Sequence, residues 1–129
     1  MSLRKTPARS SAPRWAAALL LAAAASAGAA EPGAGVFMAE CAECHSVAKG
    51  KNKRGPSLFG VVGRPAATVA GYKYSGALRQ TGWTWDEATL RRYLAQPSDT
   101  ALAGTKMEYE GLEDTRQLDA LIGYLRSRR

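Results

Sequence analysis

Apolar residues recur at helical spacing in three stretches of this chain. In "GAGVFMAECAECH", residues 33–45, Val36, Phe37, Cys41 and Cys44 fall near one face of a helix, with Glu40 and Glu43 on the other. In "TWDEATLRRYLAQ", residues 84–96, Leu90, Tyr93 and Leu94 form the apolar stripe. Thr84 and Glu87 stand in capping-box spacing at its start, and Pro97 cannot continue a helix at its end. In "DTRQLDALIGYLRSR", residues 114–128, Leu118, Leu121, Ile122 and Leu125 follow i, i+3, i+4, i+7. Arg126, Arg128 and Arg129 lie where the helix dipole favours cations. Ser75 caps a shorter turn, "SGALRQ". The pattern predicts an all-α fold with three main helices.

Residues 46–74 hold neither helical nor strand periodicity. They carry Gly50, Gly55, Pro56, Gly60, Gly63, Pro65 and Gly71, which read as turns, and residues 97–113 are similar. Structureless loops of this length count against a core made of protein alone. They become tolerable if they wrap something apolar that is not polypeptide. No segment repeats.

The first thirty residues form a separate unit. Arg4, Lys5, Arg9 and Arg14 make a positive leader with no acidic residue, followed by the uncharged, alanine-rich run Trp15 to Ala30. That run is short of the roughly 20 apolar residues of a bilayer span and ends in small residues that suit a signal peptidase. The leader has no Arg-Arg pair, which favours the general secretory route over the twin-arginine one. The expected division is a cleaved signal peptide over residues 1–30 and one domain over residues 31–129. Without the leader, 14 basic and 11 acidic residues remain, and the net charge drops from +7 to +3. Much of the basicity is therefore targeting. It does not point to nucleic acid; a mildly basic exported domain meets acidic proteins or anionic surfaces.

Both cysteines and the only histidine fall within five positions, Cys41, Cys44 and His45. Cys-x-x-Cys-His is the attachment pattern of c-type haem. Each thiol adds across one vinyl group of the haem, and cysteines one helical turn apart reach neighbouring edges of one ring. The histidine that follows then presents a nitrogen to the iron. Three other readings stand beside this. A structural zinc site wants four ligands and this run supplies three. A thioredoxin-like pair belongs after a strand in a βαβ unit, and none precedes Cys41. The third is an incidental thiol pair with a core histidine; as a structural disulfide the pair is poorly placed, since so short a bridge restrains an unfolded chain little.

If haem is bound, the distal ligand is a histidine or a methionine. There is no second histidine. Met1 lies in the leader and Met38 shares a helix with Cys41, which leaves Met107 in "LAGTKMEYEG". A methionine can also simply fill a core gap. His45/Met107 ligation fills both axial positions, raises the reduction potential, and favours electron transfer over catalysis.

Taken in order, "CAECH", "RGPSLFGVVGR", "GYKYSGAL", "GWTW", "YLAQP" and "GTKM" make residues 33–125 resemble class I cytochromes c of the mitochondrial-like branch. The resemblance implies a cytochrome c fold whose long loops wrap one covalent haem c. It implies that the Pro56 carbonyl accepts the His45 ring N–H, and that Arg64, Tyr74 and Trp85 neutralise or hydrogen-bond the haem propionates. Tyr93 would lie near the Met107 sulfur, with Thr105 bordering the same pocket. Gly33 and Phe37 would pack against Leu121 and Tyr124 where the terminal helices cross. Lys49, Lys51, Lys53, Arg54, Lys73 and Lys106 would ring an exposed haem edge. Two departures stand out: Ala103 where the family usually has proline, and Leu78 where a polar residue often organises buried water.

The expected function is that of a monomeric, soluble periplasmic carrier of single electrons in a respiratory chain. It would cycle Fe(II)/Fe(III) without substrate turnover and dock on acidic surfaces of membrane-bound or periplasmic oxidoreductases. The alternatives are a dedicated cytochrome subunit of a dehydrogenase or oxidase complex and, from another class, a haemless thiol or metal-binding module. Intact mass of the exported protein is expected to give residues 31–129 plus one haem; retention of residues 1–30 refutes the cleavage.

Overall fold

The computed structural model describes residues 1–4, 8 and 31–129. The leader expected over residues 1–30 thus lies outside the described residues, apart from 1–4 and 8. Pro32 opens helix α1 (Pro32–Glu40) in its first turn, where a missing N–H breaks no helical bond. The helix was expected to run through His45, but it ends sooner. The Ala42 N–H reaches back five residues to the Phe37 carbonyl at 3.0 Å and opens the spiral. Residues 41–44 then form a turn, closed by Cys44 N–H and His45 N–H on the Cys41 carbonyl at 3.1 and 2.8 Å. The two cysteines remain one turn apart.

Ser75 caps α2 (Gly76–Arg79) by accepting from Leu78 N–H. In α3 (Glu87–Leu94) the cap is Asp86, whose carboxylate accepts from Thr89 N–H at 2.7 Å. Thr84, expected in that role, lies before the helix. Asp86 wins because an aspartate oxygen reaches the third N–H of the helix directly, and this bond draws its carboxyl below the usual range. Residues 97–113 contain an unanticipated single turn, α4 (Ser98–Ala101), which starts directly after Pro97. The last helix, α5 (Thr115–Ser127), is capped by Asp114, which accepts from Arg116 and Gln117 N–H. Among the described residues the extended pairing is a single antiparallel bridge, Pro65 with Thr84.

The terminal helices α1 and α5 cross at Gly33. A Cβ built there would sit 2.0 Å from the Ala120 carbonyl oxygen and 2.5 Å from Tyr124 Cβ. Phe37 packs on Tyr124 with ring centroids 5.5 Å apart. Leu121 and Ile122 are fully buried on the facing side of α5, and Leu90, Tyr93 and Leu94 of α3 close the cluster. Ion pairs Arg91–Asp119 and Arg126–Glu87 tie α3 to α5 at the surface; half-exposed pairs of this kind contribute little.

The long loop 46–74 is not slack. Its backbone groups pair elsewhere, as buried groups must. Gly63 N–H and Ala66 N–H donate to the carbonyls of Trp85 and Trp83, and Trp85 N–H returns to Arg64, all at 2.8 Å. The buried Ser57 hydroxyl donates to the Ala48 carbonyl at 2.6 Å. The Gly60 N–H reaches the Arg128 carbonyl at 2.6 Å, so the loop is tied to the end of α5.

Gly33→Val is expected to drive a side chain into the α5 backbone and cost about 2–3 kcal/mol, read as a lowered midpoint in urea denaturation. An unchanged midpoint would mean that the helices do not cross there.

Candidate functional site

Between α1, α3, α5 and the loops lies a cavity of about 370 Å³, inside the roughly 300–1,000 Å³ typical of cofactor and ligand sites. All of Cys41, Cys44, His45, Pro56, Arg64, Tyr74, Trp85, Tyr93, Thr105 and Met107 line it. Residues scattered over most of the domain's length therefore converge on one space. Leu58 and Val61 of the loop, Leu90 and Leu94 of α3, and Leu121 and Leu125 of α5 supply apolar walls.

His45 Nδ1 lies 2.7 Å from the Pro56 carbonyl. A carbonyl only accepts, so Nδ1 carries the hydrogen and Nε2 keeps its lone pair. Burial, the largest influence, lowers the imidazole's affinity for a proton; the Pro56 bond opposes this, while Lys53 and Arg64 add to it. The ring is thus held neutral and aimed, as a metal-binding histidine must be. Gly55 makes that position possible. A Cβ there would stand 2.3 Å from His45 Cε1.

Both cysteines carry free thiols, Cys41 buried and Cys44 partly so. Burial, reinforced by the charges of Glu40 and Cys44, pushes the Cys41 thiol up to about 12. In this setting the free Cys41 side chain is a neutral thiol. A thioether sulfur is neutral as well.

Arg64 donates through Nη1 to the carbonyls of Ser57 and Phe59 at 3.1 and 3.0 Å. Its Nε is buried with no protein partner. Partial burial lowers the guanidinium's proton affinity, Tyr74 counteracting, and a half-buried cation with an unpartnered Nε favours an anion beside it. The Tyr74 hydroxyl accepts from Val69 N–H at 3.0 Å, which leaves its own hydrogen free to donate. Trp83, Trp85 and Tyr93 pack edge-to-face, with Trp85 and Tyr93 centroids 5.2 Å apart. The Tyr93 hydroxyl is 2.9 Å from Thr105 Oγ1, which also accepts from Met107 N–H at 3.3 Å. Tyr93 therefore reaches the methionine loop through Thr105.

These features fit a haem: an apolar cavity, two adjacent sulfurs, a neutral aimed imidazole, and the half-buried Arg64 cation in the lining. Several residues escaped the reading of the sequence. Gly55 registered only as a turn. The Tyr109 hydroxyl donates to Glu40 Oε2 at 3.0 Å, a pairing across the domain that no local pattern signals. The expected basic ring is also more mixed than anticipated. Lys49, Lys51, Lys53, Arg54, Lys73 and Lys106 are all exposed, but Glu40, Glu43 and Glu108 line the cavity beside Arg54 and Lys106. Arg54 pairs with Glu43 at 3.8 Å, and Lys106 Nζ donates to the Lys73 carbonyl.

Fold and site together define a small all-α protein whose loops enclose a flat, covalently anchored prosthetic group. The Cytochrome c family model matches residues 30–129. Cytochrome c2 iso-2 of Magnetospirillum fulvum is 49% identical over 87 residues, covering 67% of this chain and 90% of that protein. Cytochrome c of Gibberella zeae is 43% identical over 95 residues, 73% and 89% of the two chains. The solved structure of cytochrome cH from Methylobacterium extorquens superposes with a TM-score of 0.70 at 40% identity, covering 78% of this chain and 99% of that one. The chain belongs to the cytochrome c family: it has the cytochrome c fold, binds one covalent haem c, and is an electron carrier that meets redox partners. The haemless thiol or metal-module alternative is thereby set aside.

Gly55→Ala is expected to displace the His45 ring from the Pro56 carbonyl and destabilise the haem-loaded protein by about 1–3 kcal/mol, measured by urea denaturation. A variant as stable as the parent would show that the ring does not need this glycine.

Proposed function

We propose that the protein is an exported, monomeric periplasmic carrier that passes single electrons between oxidoreductases, with residues 1–30 removed on export. His45 and Met107 would hold the haem iron, and Cys41 and Cys44 would form the two thioethers. The observation that carries this reading is the convergence of Met107 on the cavity that holds the Cys-x-x-Cys-His run, at a place where the chain supplies no second histidine. Haem iron held there supplies reversible one-electron Fe(II)/Fe(III) chemistry.

The chain's own residues tune and protect that chemistry. His45 offers a neutral Nε2 because Pro56 fixes the other nitrogen. Met107 offers a soft thioether, and a His/Met pair raises the potential while leaving no coordination position for a substrate. Arg64, Tyr74 and Trp85, all in the cavity lining, would take the propionate side. The leucine and valine walls keep water from the iron. Periplasmic placement is supported by the basic, alanine-rich leader, and among the described residues no helix is long and apolar enough to cross a membrane. For docking, the exposed lysines around the cavity favour acidic partners by steering encounter.

Met107→Ala is expected to abolish the far-red charge-transfer band of the oxidised protein and to lower its reduction potential. The drop should be on the order of 0.1 V, within the ~0.8 V range that axial ligation spans. A band that survives the substitution rejects Met107 as the ligand.

A further inference from the structure

We propose that Tyr109 and Glu40 form a clasp that holds the Met107 loop against the end of α1, which makes Tyr109 a positioning residue for the distal ligand. The inference rests on Met107 being that ligand. The Tyr109 phenol donates to a Glu40 carboxylate oxygen at 3.0 Å, joining residues 69 positions apart. A hydrogen bond to a charged acceptor is stronger than one between neutral groups. Glu40 is the last residue of α1, and α1 is fixed where Gly33 meets α5. The acceptor therefore stands on a rigid element, next to Cys41.

The loop needs such a tie. It has Ala103 where a proline would have stiffened it. Upstream, Thr105 is pinned by its N–H on the Leu102 carbonyl at 3.1 Å and by the Tyr93 hydroxyl. Downstream, Ser98 N–H holds the Tyr109 carbonyl at 2.8 Å. Met107 lies between these pins, two residues from Tyr109. The phenol–carboxylate bond ties this segment to Glu40, the last residue of α1 and the neighbour of Cys41. A phenylalanine at 109 would fill the same apolar space, since Tyr109 packs against the core, but it could not hold the loop down.

The test is displacement of the methionine by imidazole in the oxidised, haem-loaded protein, followed by loss of the far-red band. Tyr109→Phe is expected to tighten apparent imidazole binding about fivefold, the size expected for losing one partly exposed, charge-assisted bond. Glu40→Ala should match it, the double variant should exceed neither single one, and Glu40→Gln, which keeps an acceptor oxygen, should stay within about twofold of the parent. Tyr109→Phe indistinguishable from the parent, or single effects that multiply in the double variant, would overturn the clasp. Met107→Ala separates the two claims. If it keeps the far-red band, the ligand assignment fails and the clasp with it. If it loses the band while Tyr109→Phe binds imidazole like the parent, only the clasp fails.

Discussion

The site depends on the close approach of α1 and α5. Only a residue without a side chain lets Gly33 lie against the Ala120 carbonyl, and this contact fixes how α1 lies on α5. Cys41, Cys44 and His45 follow immediately, so the crossing aims the whole attachment run. From the other side α5 offers Leu121 and Leu125 to the same cavity. The turn that follows one helix thus presents the reactive groups, and the partner helix supplies part of the apolar wall they face. Shape complementarity of this kind cannot relax gradually, because packed interfaces resist even small insertions.

Around that frame the polar groups are sorted by what each can pair with. His45 has one nitrogen committed to a carbonyl and one left free. Arg64 spends one arm on two loop carbonyls and leaves Nε without a protein partner. The Cys41 thiol is held neutral by burial, which suits a sulfur bonded to carbon. These are properties of environment, not residue type.

The loops show why a protein can keep nearly thirty residues without regular structure in an ordered state. Their carbonyls and N–H groups are claimed by the 83–85 segment, by Asn52 and Ser57 side chains, and by the end of α5. Their apolar residues, Leu58 and Val61, face the cavity. A haem therefore completes the core that three short helices leave unfinished, in keeping with the limited surface so small a domain can bury. The mixed charge around the mouth, with Arg54 drawn toward Glu43, also means that a partner meets fewer free cations than the lysine count suggests.

By itself the sequence determined the elements and the chemistry. Periodicity identified the three main helices, Cys-x-x-Cys-His pointed to the anchored cofactor, and the single histidine left Met107 as the candidate distal ligand. These were legible because each depends on residues close together in the chain or on simple elimination. Helix limits were less legible: α1 stops at Glu40 because of one backbone bond from Ala42, and Asp86 caps α3 in place of Thr84. Only the tertiary structure decided that Gly55 clears room for His45, that Arg64 has a free buried Nε, and that Tyr109 reaches Glu40. Such pairings join positions with no fixed spacing. They follow from distances between folded elements, which no local pattern of apolar and polar residues records.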